Sequence, residues 1–432
     1  MRGAKVETKN IDQRHQVNSY WHINKAHVSN LVDTLKVDIA PETAQNCALI
    51  HVFKYRKTRL IVITSLIFCL VGCSQRSANY TVIHAFNVGE RGGGPMGGLL
   101  MGNNGNLYGT TAFDGTNHDG TVFKIATNGK ETILYSFKCG TDGVYPKAGL
   151  VMDSTGSLYG TTSEGGTSDA GTVFKITPAG KKITLYDFKG GSDGADPEGR
   201  LVMGRNGNFY GTTSSGGNGN GTVFEITTNG KESILYRFKG DTTNSDGSAP
   251  EAGLVWGLNG NLYGTTSQGG PDGLGTIFMI SPTGKERILY SFKGDTDGAS
   301  PEGPLLMGPN GNFYGTASQG GTSDAGTVFK ITPTGKIRIL YSFKGGTYGE
   351  NPKGGLIFGS DANLFGTTTY GGNGVVFEVT PQGSERILHT FGDGSKGACP
   401  ETGLVISRRG NLYGTTPSGG AHLKGVIFKI RT

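Results

Sequence analysis

Three copies of one hexad hold the chain's densest grouping of residues able to do chemistry. Asp193 to Glu198, Asp246 to Glu251 and Asp297 to Glu302 all read Asp-Gly-x-x-Pro-Glu, with partial versions at Asp142 to Lys147 and at Asp393 with Glu401. Carboxylates gathered in this way could share Ca²⁺, which takes several oxygen ligands, or attract a cationic group. The same residues also suit a purely structural part: Asp-Gly turns the chain, Pro stiffens the approach to a strand, and a Glu opening a strand is commonly solvated. Lys147 and Lys353 stand where the other copies have Glu, so they offset the negative charge of a cation site. The candidate ligand-binding residues are therefore Glu198, Glu251, Glu302 and Glu401 with Asp193, Asp246 and Asp297. No metal site, cofactor or catalytic residue is assigned; Ca²⁺ is the one ion the pattern could accommodate.

Other reactive constellations are sparse. After Cys73 the histidines are His84, His118, His389 and His422. The first and third fall in a strand pattern; the other two fall in loops of adjacent repeats and lack a third ligand for zinc. No GxSxG elbow, HExxH helix or phosphate-cradling glycine motif is present. Of the 40 Lys and Arg and 34 Asp and Glu, ten and five lie in residues 1–59, leaving 30 against 29 in the remainder. That remainder is nearly neutral, without the basic face that nucleic-acid binding needs. Cys139 and Cys399 sit in different loops and are expected to be unpaired.

These candidates are positioned by a repeat. Tyr108, Tyr159, Tyr210, Tyr263, Tyr314, Phe365 and Tyr413 are each followed by Gly, at spacings of 51, 51, 53, 51, 51 and 48. In the second copy four strands are legible: Gly149 to Asp153, Leu158 to Ser163, Gly171 to Thr177 and Ile183 to Lys189, with Gly-containing turns between them. Four strands per ~50 residues is the period of a propeller blade. The 76 glycines fall at fixed offsets, as turns requiring positive φ demand. The last copy stops after its third strand, Gly425 to Ile430, while Tyr80 to Phe86 carries the fourth-strand pattern. The sequence thus predicts an all-β, seven-bladed β-propeller with four antiparallel strands per blade. Its last blade is completed by the N-terminal strand, which leaves no open edge.

The alternation of strand direction puts the second-to-third loops and the inter-blade loops on one face. Glu198, Glu251, Glu302 and Glu401 directly precede innermost strands and are expected at the channel mouth. The once-per-blade Tyr/Phe positions, and Phe123, Phe174, Phe224, Phe278, Phe329, Phe377 and Phe428, read as core. Phe113, Tyr145, Tyr348 and Tyr370 do not repeat and are the better sugar or protein contacts.

The string GNLYGTT, a Gly pair, then GTVFKITPxG resembles the GloVer tandem repeat of bacterial choice-of-anchor proteins over Asn79 to Thr432. That resemblance implies a surface location and no established catalysis. Upstream, Lys54, Arg56, Lys57 and Arg59 precede an uncharged run, Leu60 to Gly72, too short to span a bilayer and suited to an export signal. Leu70, Val71, Gly72 and Cys73 resemble a bacterial lipobox, which implies cleavage before Cys73 and its lipidation; Ser74 then favours the outer membrane. The organisation expected is an upstream extension at 1–53, with the true start near Val52, a lipoprotein signal at 54–73, a tether at 74–79 and the propeller at 80–432. The tether spans at most about 20 Å, so the ring lies close to its membrane. Two functions compete. One is a non-catalytic, monomeric envelope lipoprotein that offers its loop face to a glycan or protein partner. The other is an envelope enzyme acting on polysaccharide through acidic residues at the channel mouth.

Overall fold

The computed structural model describes residues 79–87, 89, 92–240 and 246–432. The expectations for 1–53, for the signal at 54–73 with Cys73, and for the tether up to residue 78 lie outside the described residues.

Each repeat forms one antiparallel sheet whose four strands hydrogen-bond in chain order. In the second these are Val151–Met152, Leu158–Thr162, Thr172–Ile176 and Lys182–Asp187. Six such sheets follow one another, and a seventh joins Val405–Ile406, Leu412–Thr416 and Val426–Arg431 to the N-terminal strand Asn79–Ala85. The protein is a seven-bladed β-propeller. Blades 1 to 6 cover 100–136, 151–187, 202–237, 255–291, 306–342 and 357–390, and blade 7 combines 405–431 with 79–85.

The closing strand behaves as a fourth strand in detail. Asn79 pairs with Arg431 and Val82 with Phe428, then a β-bulge shifts the register so that His84 pairs with Ile427. In blade 2 the same shift falls between Val173 and Phe174, at the equivalent place. A bulge increases local twist, which each outer strand needs to follow its neighbour.

Packing explains why Tyr-Gly and Phe recur together. In blade 4 Gly264 pairs across the sheet with Phe278, and a Cβ on that glycine would stand 2.5 Å from the ring. All seven blades repeat this, at 2.5–2.7 Å, so the phenylalanine lies over a position with no side chain. Each third-strand Phe then receives an edge from the Phe that ends the preceding fourth strand, as in Phe238 on Phe278 with centroids 5.0 Å apart. The series closes through Phe391 on Phe428 and Phe86 on Phe123. Such pairs contribute about 0.5–1.5 kcal/mol each beyond the area they bury.

The two threonines after Tyr-Gly have separate tasks. In five blades the first stitches one blade to the next: Thr110 donates to the carbonyl of Ala148 at 2.9 Å, and Thr212 to that of Ala252 at 2.9 Å. The second bonds the threonine that opens the third strand, as in Thr111 with Thr121 at 2.8 Å. Innermost strands are only two residues long, shorter than Gly149 to Asp153 suggested. Close to the axis the backbones converge: a Cβ on Gly149 would meet the carbonyl of Gly98 in the preceding blade at 2.9 Å. The chain there serves inter-blade packing rather than a longer ladder.

The hairpins on the opposite face use three-residue loops. Gly102 N–H bonds the carbonyl of Asn106, and Gly105 takes φ of +78°. Blade 6 places Ala362 at this position, exposed and with φ of 64°. A left-handed non-glycine residue costs about 1–2 kcal/mol. Ala362→Gly removes that strain but adds unfolded-chain entropy of about 0.5–1 kcal/mol, so a net gain of about 0.5–1 kcal/mol is expected. Chemical denaturation of the variant would check it, and a loss of stability would contradict the strain argument.

Candidate functional site

The second-to-third loops and the inter-blade loops share one face and bridge each other. Val144 pairs with Glu164, Ala195 with Ser215, Ser248 with Gln268, Ala299 with Gln319, Glu350 with Tyr370 and Ala398 with Ser418. Each inter-blade loop is then clamped by its proline. A Cβ on Gly171 would stand 2.6 Å from Cδ of Pro197, and Gly275 and Pro301 meet at the same 2.6 Å. The residue before each proline is left-handed although six of the seven are not glycine: Tyr145, Asp196, Ala249, Ser300, Asn351 and Cys399 have φ of 52–60°. Strain repeated beside a channel mouth is a device for holding side chains in place.

Two residues past each of these stands one member of a ring: Met96, Lys147, Glu198, Glu251, Glu302, Lys353 and Glu401, in blade order. The four glutamates expected at the mouth are all here. The lysines take two of them, Lys147 meeting Glu198 at 2.7 Å and Lys353 meeting Glu302 at 3.0 Å. Burial opposes the charge on Lys147, but the hydrogen bond and field of Glu198, with Glu164 and Asp196, outweigh it and raise its pKa. Lys353 is raised in the same way, burial being overcome by Glu302 and Glu401. Glu251 and Glu401 have no ion-pair partner among the described residues. Burial lifts the pKa of both; Glu302 and Glu198 add to the shift at Glu251, while Ser267 and Lys353 restrain it. At Glu401 Lys353 restrains the shift and Glu302 adds to it.

The aspartates of the hexad do a different job. Asp193 accepts from the Tyr186 hydroxyl at 2.8 Å and from the Lys189 amide at 3.0 Å. Asp246, 2% exposed, accepts from Tyr236 at 2.6 Å and from the amides of Lys239 and Gly240. Asp297 binds Tyr290 and the Lys293 amide. Each fastens its loop to the outer strand of the preceding blade. Asp193 and Asp246 also act on glutamates of the next blade, Glu232 and Glu286, whose pKa values burial and these neighbours raise, that of Glu286 to about 7. The structure thus brings the glutamates to the mouth and the aspartates to the blade junctions. Among the described residues no group of three His, Cys, Asp or Glu side chains is arranged to hold a metal ion.

One residue at the mouth has no counterpart in the expectations. Two positions deeper than the charged ring, six blades carry Gly98, Gly149, Gly253, Pro304, Gly355 and Gly403, and blade 3 carries Arg200. Superposing the repeats would have singled it out as the only side chain that departs from glycine or proline. Water reaches Arg200, yet protein surrounds it, and that desolvation lowers its pKa.

The remaining candidates lie further out. Phe113, 46% exposed, packs edge-on against Tyr145 with centroids 5.6 Å apart, at the rim between blades 1 and 2. Tyr348 and Tyr370 are exposed. His118 faces Asp114 at 3.7 Å, and His84 and His389 lie in outer strands. Cys139 and Cys399 are free thiols. Cavities of about 490 Å³ and 340 Å³ lie away from the mouth, one among hairpin turns of blades 1 and 2 and one at the outer junction of blades 2 and 3.

The sequence model of the Gloeobacter/Verrucomicrobia repeat matches residues 69–270 and 250–432. The chain belongs to this repeat family. That membership fits the unit described above, with its Tyr-Gly pair, its paired threonines and its clamped loops. A search of the curated proteins finds no match. Among solved structures, the chain is similar to the extracellular domain of a one-component system from B. thetaiotaomicron, at 10% identity and a TM-score of 0.51. The match covers 82% of this chain and 40% of that one, so the family member spans well under half of its length. It is also similar to a chain described as a 6-phosphogluconolactonase from Bacteroides uniformis, at 17% identity and a TM-score of 0.49, covering 72% of this chain and 88% of that one. A gluconolactonase from Xanthomonas campestris matches at 11% identity and a TM-score of 0.40, covering 82% and 89%. At these identities the likeness is one of fold.

Proposed function

We propose that this chain is a non-catalytic lipoprotein of the cell envelope, anchored through Cys73 in the outer membrane, whose propeller mouth binds a glycan. The observation that carries this is the charged ring. On a scaffold whose second and third strands keep one pattern from blade to blade, this position changes in charge, with Glu198, Glu251, Glu302 and Glu401 acidic, Lys147 and Lys353 basic and Met96 neutral. Variable side chains on rigid, clamped loops are the usual form of a recognition surface. Two ion pairs take Glu198 and Glu302, which leaves Glu251 and Glu401 as acceptors for ligand hydroxyls. A protein partner at the same face is the other occupant this reading admits.

Glycan-array binding by the full-length protein, with no change in the bound glycans over time, is the expected result; an empty array together with a captured envelope protein would replace the glycan by that protein. Metabolic labelling with a fatty acid should mark the wild type and not Cys73→Ala. A second reading, a polysaccharide-acting enzyme, draws on Glu251, where burial raises the pKa toward that of a general acid. Release of oligosaccharide that stops in Glu251→Gln would establish it and remove the non-catalytic reading.

A further inference from the structure

Arg200 occupies a position that is glycine or proline in the other six blades. The residues equivalent to it approach the backbone of the preceding blade: a Cβ on Gly253 would meet the carbonyl of Arg200 itself at 2.6 Å, and one on Gly403 the carbonyl of Gly355 at 2.9 Å. Six of seven blades therefore put nothing, or a proline ring, into the lumen there. Blade 3 puts in a guanidinium, and blade 2 leaves it room, since a Cβ on Gly149 would stand 3.3 Å from Cδ of Arg200.

Among the described residues no carboxylate pairs with Arg200. Glu198, two residues before it, is held by Lys147 at 2.7 Å. An exposed guanidinium with no carboxylate paired to it can receive an oxyanion, and its planar fork fits the two oxygens of a carboxylate. The charge balance limits which anion. Arg200 supplies one positive charge, while Glu251 and Glu401 stand unpaired in the ring above and repel added negative charge, so the mouth can hold one negative charge at most, on the guanidinium itself, and a doubly charged phosphate is disfavoured. Those carboxyl groups also accept hydroxyl hydrogens, and the Phe113–Tyr145 pair on the rim of blades 1 and 2 offers an apolar face.

We propose that the channel mouth binds an acidic saccharide, with Arg200 holding the carboxylate of a uronic acid unit and Glu251 accepting its hydroxyls. This rests on the glycan-binding reading of the mouth given above and adds the class of sugar. Long Arg side chains in a water-filled lumen contribute little to folding, so Arg200→Gln should melt with the wild type.

The test is calorimetric titration of the full-length protein in detergent with sodium glucuronate and tri-galacturonate, with methyl glucoside as the neutral control. Expected is saturable uronate binding that weakens by at least about tenfold in Arg200→Gln, the loss of one charge-assisted contact, and less in Arg200→Lys. As a measurement independent of any variant, raising salt from about 0.05 to about 0.5 M should weaken uronate binding to the wild type and leave methyl glucoside unaffected. Equal uronate affinity in Arg200→Gln, or no saturable uronate binding by the wild type, overturns the proposal. Neutral glycans bound equally by both proteins would refute the acidic class while leaving the mouth a glycan site.

Discussion

Gly264→Ala is expected to destabilise the propeller by about 2–3 kcal/mol, at the upper end of the range for overpacking a buried site. The sign is what makes the substitution informative. Gly264 is not in the left-handed region, so nothing in its backbone requires glycine, and alanine should stabilise by about 0.4–1 kcal/mol through the unfolded chain alone. Against this, the new methyl would stand 2.5 Å from Cζ of Phe278 and 2.9 Å from Cδ2 of Leu254. Phe278 cannot retreat, because it is fully buried and Phe238 presses on it from blade 3. The strain therefore crosses a blade boundary. Urea denaturation should show the loss, and the double variant with Phe278→Leu should recover part of it, giving a coupling energy of about 1 kcal/mol or more between the two sites. A stabilised Gly264→Ala would mean that the ring slides aside, and the account of why Tyr-Gly and Phe recur together would fail.

That account also shows what the sequence could disclose. Glycine and phenylalanine at constant offsets are visible as a repeat, and the unmatched third strand at the C-terminus required a fourth from elsewhere, so blade number and closure were legible. The first strand of each blade was drawn too long because convergence at the axis is a property of the ring and not of any one repeat. At the mouth, Glu198, Glu251, Glu302 and Glu401 were placed by their position before an inner strand. Their pairing was not, since Lys147 and Glu198 are 51 residues apart and meet only through the register of two blades. Asp193, Asp246 and Asp297 carried the same chemistry on paper. The tyrosines seven to ten residues before them claim those carboxylates, and that contact depends on the path of the loop. Arg200 escaped notice because a single arginine among glycines has no meaning until those glycines are known to line a channel.

The closing strand is where the fold should yield first, and Tyr80→Ala should show it. Tyr80 stacks on His389 with centroids 3.8 Å apart, meets Phe391 edge-on at 5.8 Å and Phe428 at 5.6 Å, and its hydroxyl donates to the carbonyl of Lys396. It thereby ties the N-terminal strand to both blade 6 and blade 7. Truncation is expected to remove about 3–4 kcal/mol, toward the low end for a large aromatic because Tyr80 is only partly buried. Hydrogen exchange should quicken at 79–85 before it does in blades 2 to 5; uniform quickening around the ring would argue against a local latch. The latch should also respond to acid. Blades 1 to 5 have a tyrosine where blade 6 has His389, and burial, helped by Lys396, pushes that imidazole down to about 4. Among the described residues its Nε2 has no hydrogen-bond partner. A histidine whose folded pKa lies below its unfolded value near 6.5 favours folding above that value, and the contribution drains away as pH falls from about 6.5 to about 4. With partial exposure taken into account the loss is about 1–2 kcal/mol. Glu286 and the mouth glutamates, whose pKa values are raised, act with the opposite sign as pH falls, so the bare stability curve mixes the two. The difference between wild type and His389→Tyr isolates the histidine. It should be small at pH ~8 and grow in favour of the variant toward pH ~4.5, with the N-terminal strand protected longest in the variant. Parallel curves across that range would leave His389 out of the latch and Tyr80 resting on Phe391 and Phe428 alone.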